Sequence, residues 1–427
     1  YTSQYTLSLH DALPISQESF AYRDAMYWYE EALRLSASAP PTRGTDEQRM
    51  TALTELGKVS LRIGHLPQAA NHLRKAIALG REMHQGAQQL AILYHWLGET
   101  LFWQDKNQER VEIGEEGLDL LDGDSRSLGK ALMNQVVAYG AKKLGNWERA
   151  AALTRETAGF LKDLAYREEL LAAYSHVFAM YVDEKQIDAA LDHLRSYEEQ
   201  VAPRNDTLTK IPMHYWQARI DGLTGNLKDH LNQLKSALTL ATRIGVITYQ
   251  AYLSLVIART FLASGNLDQA ANYGQQSLDL ARMLEYEPRI AECLVIVGEV
   301  ALCMANLEHA RACFQEAGTM DEGEEAGLAH YLLGRIHQSR NDNHHAWMHF
   351  QQSLKIRASR SGDIDPMRFL FPLLDGLEAV SETREAFRGW CRTYRTDHPW
   401  LDAGLQQWWL TPTHARACPV GRLVADG

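Results

Sequence analysis

Apolar and polar positions along this chain recur in one frame: Gly or Asn, a polar residue, a large apolar residue, two variable positions and Ala. The frame reads Gly64-His-Leu-Pro-Gln-Ala69, Gly145-Asn-Trp-Glu-Arg-Ala150, Gly265-Asn-Leu-Asp-Gln-Ala270 and Ala305-Asn-Leu-Glu-His-Ala310. Aligning on it places Ala25, Ala69, Arg110, Ala150, Ala190, His230, Ala270, Ala310 and Ala346 at one equivalent position, at intervals of 44, 41, 40, 40, 40, 40, 40 and 36 residues. A period of this size marks a stacked array, in which each unit is a helical hairpin that buries its second face only against the next unit. Two helices per unit come to roughly 17 residues each. Small residues are needed where the helices touch, because axes approach to contact only where side chains stop at Cβ.

The same residues resemble the tetratricopeptide repeat, whose pattern carries small residues at positions 8, 20 and 27 and a large apolar one near 24. Gly57, Ala69, Leu73 and Ala76 match it, as do Gly298, Ala310, Phe314 and Ala317, and Tyr22, Ala25, Tyr29 and Ala32 of a first, truncated unit. Gly98, Gly334, Phe350 and Ala237 fall in further copies, while Arg110 and His230 break the small-residue rule. The resemblance implies an all-α fold: a right-handed α-α superhelix, or solenoid, of about nine hairpins with a C-terminal helical cap.

Prolines punctuate this plan. Pro67 falls in the first turn of a second helix, where its missing N–H costs nothing. Pro40 and Pro41 form a longer loop, Pro203 marks a connection, and Pro212 and Pro288 precede or open first helices. The array is expected over 17–360. A helix-breaking stretch at Asp363 to Met367 then leads into a cap over 361–410 bearing Trp390, Trp400, Trp408 and Trp409, whose aromatic helices would cover the last apolar face. Residues 411–427 have no apolar period and read as a linker or the start of a further domain. Residues 1–16 are set aside: Thr6 to Ile15 resembles the translation of a common short-read sequencing adapter, which makes the chain a metagenomic-type fragment with its native start at Ser16 or Gln17.

Charge narrows the partners. The chain holds 43 basic and 54 acidic side chains, a net charge of −11 that disfavours general affinity for nucleic acid or an anionic membrane. No apolar run approaches the length of about eighteen residues that a membrane span needs. Five cysteines without a pairing pattern point to reduced thiols and a cytoplasmic setting. Cys293, Cys303 and Cys313 read as core thiols.

Catalytic signatures are missing from the sequence. Gly123 to Ala131 superficially resembles a phosphate loop, but five residues separate Gly123 from Gly129 and Lys130 is followed by Ala131, so it reads as a turn. His330, His337, His344, His345 and His349 crowd one unit. His345 and His349 have the spacing for two ligands on one metal, yet no Asp, Glu or Cys is read on their turn, so no metal and no cofactor are assigned. Asp321 to Glu325 reads as a solvated acidic loop.

In the resembled family the first helix of each unit lines a concave groove that meets ligands. Carried onto this chain, those positions are His95, Glu99, Phe102 and Trp103; Gln135, Tyr139, Lys142 and Lys143; Tyr215 and Arg219; Tyr252 and Arg259; Glu299; and Tyr331 with Arg335. Tyr215 with Arg219 and Tyr331 with Arg335 are i,i+4 pairs that set a stacking surface beside a guanidinium fork, suited to a carboxylate, a phosphate or an acidic peptide. The other reading has the tyrosines packing between first helices and the arginines pairing with neighbouring acids. Three function classes follow. The first is a sensor scaffold resembling the C-terminal repeat region of large bacterial signalling proteins, whose upstream part is an ATPase, a nucleotide cyclase or a transcription-activator module. The second is a free-standing peptide-binding adaptor. The third is an enzyme on the array itself, which has no visible nucleophile, base or metal set to support it.

Overall fold

The computed structural model describes residues 22–37, 42–121, 126–165, 167–204, 207–320, 324–359 and 371–380. The adapter-like segment, Pro40 and Pro41, Gly123, the acidic run 321–323, the linker at 363–367, the four tryptophans of the expected cap and the tail 411–427 lie outside these residues.

Every described helix is α or short 3-10, and helices adjacent in sequence pack on one another from Tyr22 to Arg243 and again from Leu267 to Val380. A lone second helix, α1 (Tyr22–Ala37), comes first. Eight complete hairpins follow: α2 (Arg43–Arg62) with α3 (Leu66–Glu82), α4 (Ala87–Trp103) with α5 (Asn107–Leu120), α6 (Leu128–Lys143) with α7 (Trp147–Ala158), and α8 (Leu171–Asp183) with α9 (Ile187–Val201). Next come α10 (Thr207–Leu223) with α11 (Leu227–Arg243), α12 (Ile247–Ala263) with α13 (Leu267–Met283), α14 (Glu287–Cys303) with α15 (Leu307–Thr319), and α16 (Glu324–Ser339) with α17 (Asn343–Ser359). The described part of the expected cap is α18 (Phe371–Val380), which packs on α17 and α16. The chain divides into two compact units, one through Leu253 and one from Ser254, so the division falls inside α12.

The frame residue is the fourth residue of every second helix, from Ala25 in α1 to Ala346 in α17. Ala69, Ala190, Ala270, Ala310 and Ala346 are fully buried and Ala150 is 4% exposed. Glycine eight positions into the repeat explains why: a Cβ on Gly57 would lie 2.5 Å from Leu73, on Gly298 2.4 Å from Phe314 and on Gly334 2.5 Å from Phe350. Each large side chain fills the space that its hairpin partner leaves.

The two exceptions are accommodated differently. At His230 the partner helix supplies Gly222, and the ring sits against it with Nδ1 2.6 Å from the Ala218 carbonyl. Arg110 is 1% exposed; its Nε donates to the Val136 carbonyl at 3.2 Å and its guanidinium to Glu99 at 3.2 Å.

Turns repeat as faithfully as contacts. Between the helices of each hairpin one residue takes a left-handed conformation: Gly64, Asp105, Gly145, Lys185, Gly225, Gly265, Ala305 and Asn341. The next residue often caps the second helix, Asn146, Asn226, Asn266 and Asn306 each accepting the backbone N–H three residues on. Pro67 and Pro288 sit in the first turns of α3 and α14. Pro212 does not open a helix: it lies inside α10, one turn beyond Thr207. Gly129, Lys130 and Ala131 are likewise helical, at the start of α6 behind the Ser127 cap, where the Gly129 N–H donates to Gln88 at 2.7 Å.

First and second helices differ in how much they bury. In α14 eleven residues from Arg289 to Ala301 are buried, whereas α15 buries only Ala310, Cys313, Phe314 and Ala317. A first helix is covered by its own partner and by neighbouring units, while a second helix keeps one face in water. Buried cysteines follow: Cys293 and Cys313 are core thiols and Cys303 is half-buried, and burial raises the Cys293 thiol to about 11. Among the described residues no helix is long and apolar enough to cross a membrane.

Candidate functional site

In the unit through Leu253, the first helices carry a continuous row of polar and aromatic groups. On α6, Gln135, Tyr139 and Lys142 fall at i, i+4 and i+7 and share one helix face. Glu99 of α4 accepts from Gln135 at 3.2 Å and from Arg110 at 3.2 Å, so one carboxylate ties two neighbouring repeats. The Arg110 guanidinium lies over the rings of Tyr139 at 5.0 Å and Phe102 at 5.4 Å, and those rings meet edge to face at 4.7 Å. Tyr139 in turn meets the ring of His176 on α8 at 5.6 Å.

The row ends in a charged cluster. Asp183, the last residue of α8, accepts Lys142 at 2.7 Å and Arg219 of α10 at 3.5 Å, two cations on one carboxylate. Trp147, half-exposed on α7, stacks beneath the Lys142 ammonium at 5.4 Å. Tyr215 and Tyr252 share a hydroxyl–hydroxyl hydrogen bond of 2.6 Å, and burial lifts the Tyr215 hydroxyl well above its ordinary range. His176 is held at about 3 by burial and then by Lys142 and Arg110, so it is a neutral imidazole at neutral pH.

Other sequence-predicted residues have different surroundings. His95 is buried at 1% exposure, with burial holding it at about 3, and its Nδ1 finds no partner. Trp103 is half-buried beside Phe102 at 5.0 Å, and Lys143 is exposed. In the unit from Ser254, Arg259 pairs with Glu292 at 2.7 Å and approaches Glu325 at 4.0 Å, while Arg289 also binds Glu292. Burial raises the carboxyl of Glu299 to about 7. Tyr331 is buried and accepts a hydrogen bond from Arg335 at 3.1 Å.

The residues that reading one helix at a time misses are the acids, Asp183 and Glu292, each reached by a cation from another repeat. A usable signal was present: Lys142 and Asp183 stand 41 residues apart, one repeat period. The histidine-rich unit also departs from expectation. An acid does share the turn of His345, for Asp342 caps α17 and its carboxylate lies 2.8 Å from His345 Nδ1 and 2.9 Å from His337 Nδ1.

No family model matches the sequence, and no curated protein matches it. Solved structures do. The crystal structure of a Rap protein complexed with Competence and Sporulation Factor is similar with a TM-score of 0.54 at 12% identity, over 84% of this chain and 99% of that one. A monomeric mutant of IFIT1 with m7Gppp-AAAA is similar with a TM-score of 0.50 at 12% identity, over 84% of this chain and 78% of the other. Both are helical repeat proteins, and the likeness is one of architecture: this chain folds as an all-α, tetratricopeptide-like solenoid.

Proposed function

We propose that the chain is a non-catalytic binding scaffold whose first-helix face between Glu99 and Tyr252 receives a protein segment or small ligand through an acidic group. The observation that carries this reading is the two-to-one charge balance at Asp183. Lys142 and Arg219 share a single carboxylate, so a carboxylate or phosphate brought by a ligand meets an excess of positive charge beside the aromatic surfaces of Tyr139, Tyr215 and Trp147. Arg259 has no such excess, because Glu292, Glu325 and Glu299 surround it and Arg289. The anion site is therefore narrower than the full row of tyrosines and arginines in the sequence.

Similar architectures hold ligands in their own structures, Competence and Sporulation Factor in one and m7Gppp-AAAA in the other. The net charge of −11 favours a protein or small acidic ligand over a polyanion here. In a sensor of this design, a ligand that binds one arrangement of the stacked hairpins better than another would bias an ATPase, cyclase or transcription module joined to the array. A free-standing adaptor would use the same face without that module, and the sequence upstream in an intact gene separates the two.

The test is fluorescence polarisation of the full chain against a labelled library of acidic peptides. Lys142→Ala combined with Arg219→Ala is expected to weaken the best binder at least about tenfold, the order for losing charge-assisted contacts, while Arg259→Ala leaves it unchanged. Equal affinity in the double variant refutes the assignment.

A further inference from the structure

The turn between α16 and α17 brings three donors of metal-ligand type to one point. His337 lies in the last turn of α16, Asp342 caps α17 and His345 lies in its first turn, and Asn341 between them adopts a left-handed φ of 58° that folds the chain back sharply. The Nδ1 atoms of both histidines converge on the same carboxylate oxygen, at 2.9 and 2.8 Å, and the three ligating atoms all lie within 4.8 Å of one another. We propose that His337, Asp342 and His345 form a binding site for a divalent transition-metal ion of the zinc class, a function separate from the anion-binding face.

Geometry favours an ion over a simple hydrogen-bonded cap. A tetrahedral ion with bonds of about 2.0–2.2 Å holds its ligand atoms about 3.3–3.6 Å apart, so small side-chain rotations open the present contacts to the required span. The two imidazole rings lie nearly parallel, 30° apart with centroids at 5.2 Å, which aims their edges the same way. His337 is nearly buried and fixes one ligand, while His345 is 57% exposed, which gives an ion a path in. Two imidazoles and one carboxylate suit zinc, cobalt or nickel, whereas calcium and magnesium favour shells made wholly of oxygen donors, which two imidazoles do not provide. The remaining coordination positions fall to water. Behind the site His349 stacks on His337 at 5.4 Å and places its Nδ1 3.0 Å from that of His330, extending the imidazole-rich environment. Because the ligands come from both helices, the ion would pin the hairpin, and binding raises the stability of the native state by mass action.

The experiment uses the untagged full chain with cobalt and zinc. Expected are a visible d–d absorption band saturating at one equivalent of Co(II), its loss on adding Zn(II), a rise in melting temperature with Zn(II), and no competition by Mg(II). His345→Ala, which leaves the Asp342 cap in place, and Asp342→Asn should each weaken Zn(II) at least about tenfold, while His309→Ala, outside the cluster, has no effect. Unchanged Zn(II) affinity in His345→Ala, or weak uptake of several equivalents that no single variant alters, would overturn the site and show only scattered surface histidines.

Discussion

Two hairpins built on the same repeat, α8–α9 and α14–α15, solve the same packing problem in opposite ways. In α14–α15, Gly298 on the first helix leaves a space that Phe314 of the second helix occupies, and Ala310 and Ala317 keep the remaining contacts thin. In α8–α9 the equivalent positions are Phe178, Leu194, Ala190 and Tyr197, all buried. The glycine has become a phenylalanine and the second alanine a tyrosine. Room for them comes from the next first helix: Trp216 of α10 stacks on Phe178 at 5.1 Å and meets Tyr197 edge to face at 4.8 Å, while Tyr174 packs on Tyr197 at 5.3 Å. Of the four positions only the alanine at the fourth residue of the second helix is kept. The repeat thus fixes where backbones must approach, and the volume around that point is free to move between helices as long as the total is filled.

The largest way to break this comparison is Trp216→Ala. Removing the ring shared by Phe178 and Tyr197 leaves a cavity that no neighbouring hairpin fills, and a loss of about 3–5 kcal/mol is expected. A conservative change in the regular hairpin, Phe314→Leu, should cost only about 1–1.5 kcal/mol, because Leu73 occupies the same place against Gly57 in α2–α3. Denaturant unfolding followed by circular dichroism separates the two. Equal costs would show that the aromatic layer of α8–α10 carries no special share of the packing.

A second contrast is electrostatic and appears in the pH dependence. In the first unit, burial holds His95 and His176 at about 3 and His193 at about 4, against an ordinary 6.5. The folded state then binds fewer protons than the unfolded one. This stability is complete above about 6.5 and lost as pH falls, through about 4 for His193 and about 3 for His95 and His176, by about 3–5 kcal/mol for each group. In the second unit His349, held at about 4, adds to the same acid limb, but Glu299 opposes it. Its carboxyl is held at about 7 against an ordinary 4.5, so its contribution is complete below 4.5 and lost as pH rises through 7. Thermal unfolding across pH 4 to 8 should therefore show His95→Gln flattening the acid limb and Glu299→Gln raising stability at pH 8 by about 1–2 kcal/mol. A Glu299→Gln variant with the parent's pH profile would remove Glu299 from this account.

The architecture was legible because its determinants are local and periodic. A frame position recurring about every forty residues, alanine in seven of its nine copies, placed the second helices, since close backbone approach favours a small residue there. Arg110 and His230 looked like defects for the same reason, and the compensating groups, Glu99 and Gly222, lie on partner helices that one-helix reading does not consult. The candidate face was half legible. Tyr139, Lys142, Tyr215 and Arg219 could be placed on first helices from the repeat frame, but their ionic partner Asp183 lies one period or nearly so away. Asp342 escaped notice for a different reason: it precedes its helix, so a search along the helical face of His345 and His349 passes it by, although a cap points its carboxylate back into that first turn.

The smallest effect isolates the backbone from the packing. Gly265 and Ala305 occupy the same turn position in successive hairpins of the second unit, with φ of 76° and 58°. A Cβ on Gly265 would meet nothing within 4 Å, so any cost of adding one is conformational. The left-handed region costs an L-residue roughly 1 kcal/mol, and glycine pays none of it, although its unfolded chain is the more disordered. Ala305→Gly should therefore stabilise the protein by about 0.5–1 kcal/mol and Gly265→Ala should destabilise it by about the same amount, both measured as shifts in the denaturation midpoint. If the two substitutions fail to show opposite signs, the hairpin turn is not held in the left-handed conformation at both sites, and the turn geometry would cease to be part of what the repeat dictates.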